Sequence, residues 1–262
     1  MSTYLSGQGL VYQAQRDAAG NFLDFKALGN VPQFELQLAV TTVEHKESTS
    51  GFRVVDLRLV TEKKAELTMN VQEFLATNYA LLMHGNVNSL GAGSVSSEQI
   101  GGGITTGFAI GQSYGLKNVD ITSLILTDSA GSPVTLALGT DYTVNLRYGL
   151  ITLVNNWSAF TGPIKAAYTK TTGQKSVDIL TTPPPQRWLR FLAVNTAAIN
   201  TDGSYKRFVL DLYNVTFDPA AALALIGDTV ADGQLKGSAL VDPFKSFTAA
   251  GGAIGQLIYI DN

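Results

Sequence analysis

Hydrophobic and polar positions alternate with period two along much of the chain. In Gln33–Val43, QFELQLAVTTV, Phe34, Leu36, Leu38 and Val40 fall on one side and Gln33, Glu35, Gln37 and Ala39 on the other, the pattern of a half-buried strand. Pro32 stands at its entry, where a missing N–H is tolerated. Residues 52–60, FRVVDLRLV, alternate again, with Val55, Leu57 and Leu59 against Val54, Asp56 and Arg58. Thr61–Lys64 reads as a polar turn, and Ala65, Leu67 and Met69 then alternate with Glu66 and Thr68, so the pattern predicts a three-strand meander. From Asn70 the period changes. Val71, Phe74, Leu75, Asn78, Tyr79 and Leu82 recur at helical spacing. Asn70 and Glu73 resemble a capping box and Gly85 fits C′. His84 falls in the last turn, where the carbonyl end of a helix favours positive charge.

Between Gly85 and Ser113 glycines recur and Glu98 is the only acidic or basic residue, which predicts a long, weakly structured connection. Residues 114–170 read as short strands: Leu124–Leu126, Val134–Leu138, a hairpin of Thr143–Leu146 with Gly149–Val154, and Ile164–Thr169. Such spacing suggests a small sandwich. Lys170–Arg187, with Pro183–Pro185, reads as a stiff linker. Alternation then resumes with strands at Trp188–Leu192, Lys206–Phe217, Gln234–Val241 and Gly255–Ile260. Asn195–Ser204 is expected to be a loop and Asp218–Ile226 a short helical turn. The expected fold class is mainly β. Residues 1–85 and 181–262 would build one β domain with a flanking helix. Residues 86–180 would be an inserted small β-sandwich (Ig-like) domain on flexible linkers.

Composition narrows the function classes. The 262 residues include 18 Lys+Arg, 21 Asp+Glu and no cysteine, for a net charge of −3. Disulfides, thiolate metal sites and a cysteine nucleophile are excluded. No cluster of Lys and Arg marks a nucleic-acid reader. Charged residues make up only 15 %. That fits a surface covered by neighbouring subunits, since interface cores are poor in charge, and equally an all-β protein with a neutral surface. The start carries no basic segment followed by an apolar run, and no stretch approaches the ~18 apolar residues of a membrane span. The expectation is a soluble protein made in a cytoplasm, without membrane binding.

Catalytic chemistry finds no support. The stretch VEHKESTSGFR, Val43–Arg53, holds His45, one of two histidines, beside Glu44 and Glu47. A triad would need a nucleophile and an orienting group brought to that base by the fold, and there is no G-x-S-x-G or H-E-x-x-H. Gly101–Gly103 lacks the Lys-Ser/Thr of a phosphate loop. No pair among the acidic residues is marked for glycoside hydrolysis. No catalytic, cofactor-binding or metal-ligating residue is therefore assigned, and no cofactor or enzymatic activity is expected. A carbohydrate- or surface-binding β module is the alternative from another class. It would need an aromatic platform, for which Tyr114, Tyr142, Tyr148 and Trp157 are available unless they pack in a core.

Taken as a set, GNVPQFELQLAV (29–40), EHKESTSG (44–51), DLRLVTEKKAELTMNVQEF (56–74), WLRFLAVNTA (188–197), LDLYNVTFDPAAALALIGD (210–228) and LKGSALVD (235–242) resemble the tail tube, or major tail, proteins of long-tailed bacteriophages. The resemblance covers the two terminal segments. It implies a β-sandwich or barrel-like tail tube domain whose copies close into rings, six to a ring, and stack into a tube for the passage of DNA. The implied partners are the chain itself and the tape measure, tail terminator and tail tip proteins. The implied location is the tail of the virion, assembled in the host cytoplasm. A channel that lets DNA slide should not bind phosphate. Glu35, Gln37, Asp56 and Arg58 are accordingly candidates for the lumen wall, with Arg58 free to pair with Glu35 or Asp56, or else they are plain solvent faces. Val43–Arg53 reads as a projecting hairpin tip. Glu44, His45, Lys46, Glu47, Ser48, Thr49, Ser50 and Gly51 would contact the next subunit or ring, with a solvated turn as the bland reading.

Overall fold

The structure is a computed structural model that describes residues 4–17, 19–49, 51–246, 248 and 251–260. The chain forms two compact units, one from the chain up to Val87 and from Val177 onward, the other Asn88–Ser176. The first contains β1 (Gly7–Arg16), β2 (Phe22–Ala27), β3 (Gln33–Lys46), β4 (Val55–Val71) and helix α1 (Ala76–Met83). Between them and the return of the chain lie β5 (Val87–Leu90), β6 (Gly93–Gln99), β7 (Ser113–Gly115), β8 (Ile121–Thr127), β9 (Tyr142–Asn145), β10 (Leu150–Leu153), β11 (Lys165–Lys170) and β12 (Gln174–Val177). The first unit is completed by β13 (Gln186–Ile199), β14 (Tyr205–Phe217), β15 (Gly233–Ala239) and β16 (Gly255–Ile260). The chain is mainly β, as its alternation predicts.

In the first unit one antiparallel sheet runs β2-β1-β13-β14-β15-β4-β3. β14 divides one edge between two partners: Val215–Phe217 pair with β15 and Arg207–Leu212 with β16. The sheet curls, so that Phe34 of β3 meets Phe191 of β13 at 5.4 Å between ring centroids. Inside the curl, Leu67, Met69, Val71, Leu189, Val215, Phe217 and Leu235 pack with Leu81 and Leu82 of α1. The opposite face carries a smaller layer around Trp188 and Tyr213. There the buried Asp211 takes a bidentate guanidinium from Arg190, and the buried Asp242 one from Arg16.

Several expectations for this unit are corrected. No turn interrupts 61–64: β4 is continuous because β3 supplies ladder partners through it, Thr41 to Glu62, Val40 to Lys63 and Ala39 to Lys64. The helix begins at Ala76, not Asn70. Val71 belongs to β4, paired with Gly233 and wholly buried; the Asn70 amide bonds Gln33, and Glu73 accepts from the Asn30 N–H. His84, not Gly85, takes the left-handed backbone at the helix end, with φ 49°. Gly85 is needed for another reason: a Cβ there would lie 1.8 Å from the Asp178 carbonyl oxygen. Residues 195–199 continue β13 instead of looping. Asp218–Ile226 forms no helix; the Ala220 N–H is tied to the Leu82 carbonyl at the end of α1. β1 and β2 fill an N-terminal region in which the sequence pattern assigned no strand.

In the second unit two three-stranded sheets, β7-β10-β9 and β6-β11-β8, both contribute to one core. The weakly structured connection expected between Gly85 and Ser113 is corrected over its first part, where β5 and β6 form and β11 gives β6 a ladder; residues 103–112 contain no strand or helix. Val134–Leu138 makes only isolated bridges, Thr135 to Thr127 and Leu138 to Tyr142, and the expected linker 170–187 contains β12. The aromatic platform does not exist as imagined. Tyr142 and Trp157 are core residues, and the Trp157 indole N–H donates to the Asp141 carbonyl. Tyr148 is exposed, while Tyr114 is half-buried and donates to Gln112.

Candidate functional site

The feature of the first unit that its own core does not explain is the hairpin of β3 and β4. Its root is ordinary. Phe34 and Leu36 share a face with Leu67 and Met69 and pack on the core, while Glu35 and Gln37 share the outer face with Thr68 and Glu66. Beyond Leu38 the two strands continue paired to Lys46 and Val55, and among the described residues no third strand lies beside β4 past Ala65. At ~3.3 Å per residue, Leu38 to Lys46 extends on the order of 30 Å.

A bulge between Thr41 and Thr42 changes which β4 residues share each face. Before it Val40 opposes Lys63; after it Thr42 opposes Val60, Val43 opposes Leu59 and His45 opposes Leu57. One face of the outer arm therefore carries Leu38, Val40 and Val60, and the other carries Val43, Leu57 and Leu59. All six are exposed, Leu38 to 74 %. Single exposed apolar side chains are unremarkable, but contiguous ones mark interaction surfaces. Covering six half-exposed Val and Leu side chains would contribute on the order of 5–10 kcal/mol.

The tip residues fall into place on this arm. Glu44, His45 and Lys46 belong to β3, not to a loop, because the ladder with β4 runs on to Lys46. The turn is closed by the Glu47 N–H donating to Val54. The Glu47 carboxylate accepts from the N–H and hydroxyl of Thr49, and Ser48 is exposed. Gly51 has φ +83° with open space around it, a conformation glycine adopts without cost. Ser50 lies outside the described residues. His45 Nδ1 stands 2.7 Å from Asp56 Oδ1. That hydrogen bond, with the charge of His45, holds the Asp56 carboxyl below its ordinary range.

Glu35, Gln37, Asp56 and Arg58 do not make one wall. Glu35 and Gln37 line a shallow polar depression at the root with Glu66, Lys236 and Asp218. Asp56 sits near the tip with His45. Arg58 opposes Glu44 on the other face, and its Nε donates to the Thr42 hydroxyl at 3.3 Å instead of meeting Glu35 or Asp56. Among the described residues no group of His, Asp and Glu could hold a metal ion, and no helix is long and apolar enough to cross a membrane.

The apolar residues of the outer arm were missed as site residues because alternation alone assigns them to a core. The signal was nevertheless present: Leu59-Val60 places apolar residues at both parities of one strand. That pattern implies burial on both sides of a strand.

A family model described as "Protein of unknown function UCP028589" matches residues 4–261. No curated protein matches the chain.

Proposed function

The chain belongs to this family. From its exposed arm and the resemblance of its terminal segments, we propose that it is a structural subunit that assembles with copies of itself, as a tail tube protein of a long-tailed bacteriophage. The observation that carries the reading is the outer β3–β4 arm, apolar on both faces and covered on neither. The outer edge of β3 adds to it. A long unpaired edge is a template for another chain, and head-to-tail contacts between identical subunits close into rings or continue as filaments. In this reading the copies form rings, hexameric by the resemblance, which stack into a channel for the genome during ejection. The domain of 1–85 with 181–262 takes the β-sandwich or barrel-like tube fold, and the inserted 86–180 domain is an Ig-like decoration. The partners are other copies and the tape measure, terminator and tip proteins; the location is the virion tail; the role is not enzymatic.

Negative-stain micrographs of the concentrated protein, with analytical ultracentrifugation, test this. Rings or tubes are expected. A strictly monomeric species at every concentration, alone and with other tail components, overturns it.

A further inference from the structure

The first unit contains a groove of about 780 Å³, within the range of sites that hold small ligands or a short piece of chain. It is walled by β1 and β2 on one side, and on the other by α1 and the segment through Pro183–Pro185 to Arg187. Two polar groups in it lack the partners their burial calls for. Gln13 is 7 % exposed, and its Oε1 has no hydrogen-bond partner. Among the described residues the Arg187 guanidinium donates to the carbonyl of its neighbour Gln186 alone, and burial pushes its pKa down. Among the described residues it forms no ion pair. Of the other charged groups in the groove, Arg16 is engaged by Asp242, and Asp17 is engaged by the turn from Ala19 to Asn21. Lys26 and Asp24 add one charge of each sign. A carboxylate would satisfy Arg187, and a hydroxyl or N–H would satisfy Gln13. The apolar wall of Leu23, Pro183–Pro185 and Phe244 suits an aromatic ring.

The arm tip offers all three. Glu47 supplies a carboxylate, Ser48 an exposed hydroxyl, and Phe52 a ring that is 84 % exposed. We infer that the groove is the seat for the arm tip of a second copy of this chain, with Glu47 on Arg187, a donor of the Ser48 region on Gln13, and Phe52 against the proline wall. The inference rests on the self-assembly reading above and names its acceptor. Because donor and acceptor are different surfaces of the same chain, the contact is head-to-tail and propagates.

Charge exchange tests it. Arg187→Glu and Glu47→Arg should each raise the concentration needed for assembly about ten-fold or more, and the combined variant should return it close to that of the unmodified chain. Single variants that assemble normally, or a pair no better than the worse single, overturn the seat. Should Arg187→Glu fail to fold, a cysteine pair serves instead, since the chain has none of its own. Leu23→Cys with Thr49→Cys should give a ladder of disulfide-linked multimers on oxidation, whereas either alone should stop at dimers. Assembled material without a ladder overturns the seat while leaving self-assembly intact. If nothing assembles, a backbone-cyclised peptide of residues 43–56 titrated into the full chain decides the matter separately. Calorimetric binding weakened about ten-fold by Gln13→Met supports the seat, and no binding overturns it.

Discussion

At the scale of residues, the two buried aspartates outside the curl, Asp211 and Asp242, are each held by a bidentate guanidinium. Burial pushes the Asp242 carboxyl up. Hydrogen bonds from Arg16 and the Phe244 N–H, with the charges of Arg16 and Lys245, outweigh it and hold the carboxyl below its ordinary range. Removing one member of such a pair strands the other, so Arg16→Met should cost about 3 kcal/mol in urea unfolding. The pH dependence has a definite sign. The folded carboxyl titrates below the unfolded value of about 3.9, so its contribution is present above that pH and is lost as pH falls through the folded value. Asp242→Asn should flatten the acid limb of the stability curve below about pH 4, measured by unfolding at a series of pH values. His45 and Asp56 make the corresponding contact on the arm, but in full solvent, where an ion pair contributes little to folding.

At the scale of elements, β3 and β4 behave as two different things along their length. Their roots are core strands and their outer halves are a ribbon with no core to serve. Polar replacement separates the two. Leu38→Ser with Val40→Ser, and independently Val43→Ser with Leu57→Ser, should each abolish assembly while shifting monomer stability by less than about 1 kcal/mol. Sedimentation and thermal unfolding read the two effects apart. If one face tolerates the change, the arm is covered on one side only. Gly85 shows the opposite kind of constraint. Gly85→Ala would drive a Cβ into the backbone of Asp178, and a loss on the order of 2–4 kcal/mol is expected in urea unfolding, because neither backbone can yield cheaply.

At the scale of the molecule, each of the two units has its own core. The Asp178 N–H donates to the Asn86 carbonyl at 3.1 Å, so the chain leaves and re-enters the first unit at nearly one point. Replacing 88–176 by a short Gly/Ser turn should therefore leave the first unit folded, with its thermal transition within a few degrees of the parent and its assembly intact. Loss of assembly without loss of folding would make the inserted unit part of the joint.

Much of this was legible in the sequence, because period-two alternation is a local consequence of strand geometry. The roots of β3 and β4, the hairpin of β9 and β10, and β14, β15 and β16 follow from it directly. Glu44 to Gly51 could be located at a hairpin tip for the same reason. Where the ladder or the close packing came from distant residues, the sequence was silent or misleading. Lys63 and Lys64 look like a turn until β3 pairs with them. Val71 looks helical until Gly233 lies beside it. Tyr142 and Trp157 look like a platform until two sheets close over them. The exposure of Leu38, Val43 and Leu59, and the meeting of the unsatisfied Gln13 Oε1 with Arg187 in one groove, were decided by tertiary structure alone. Burial is a property of what packs against a side chain, and among the described residues of the first unit the core stops at the root of the arm.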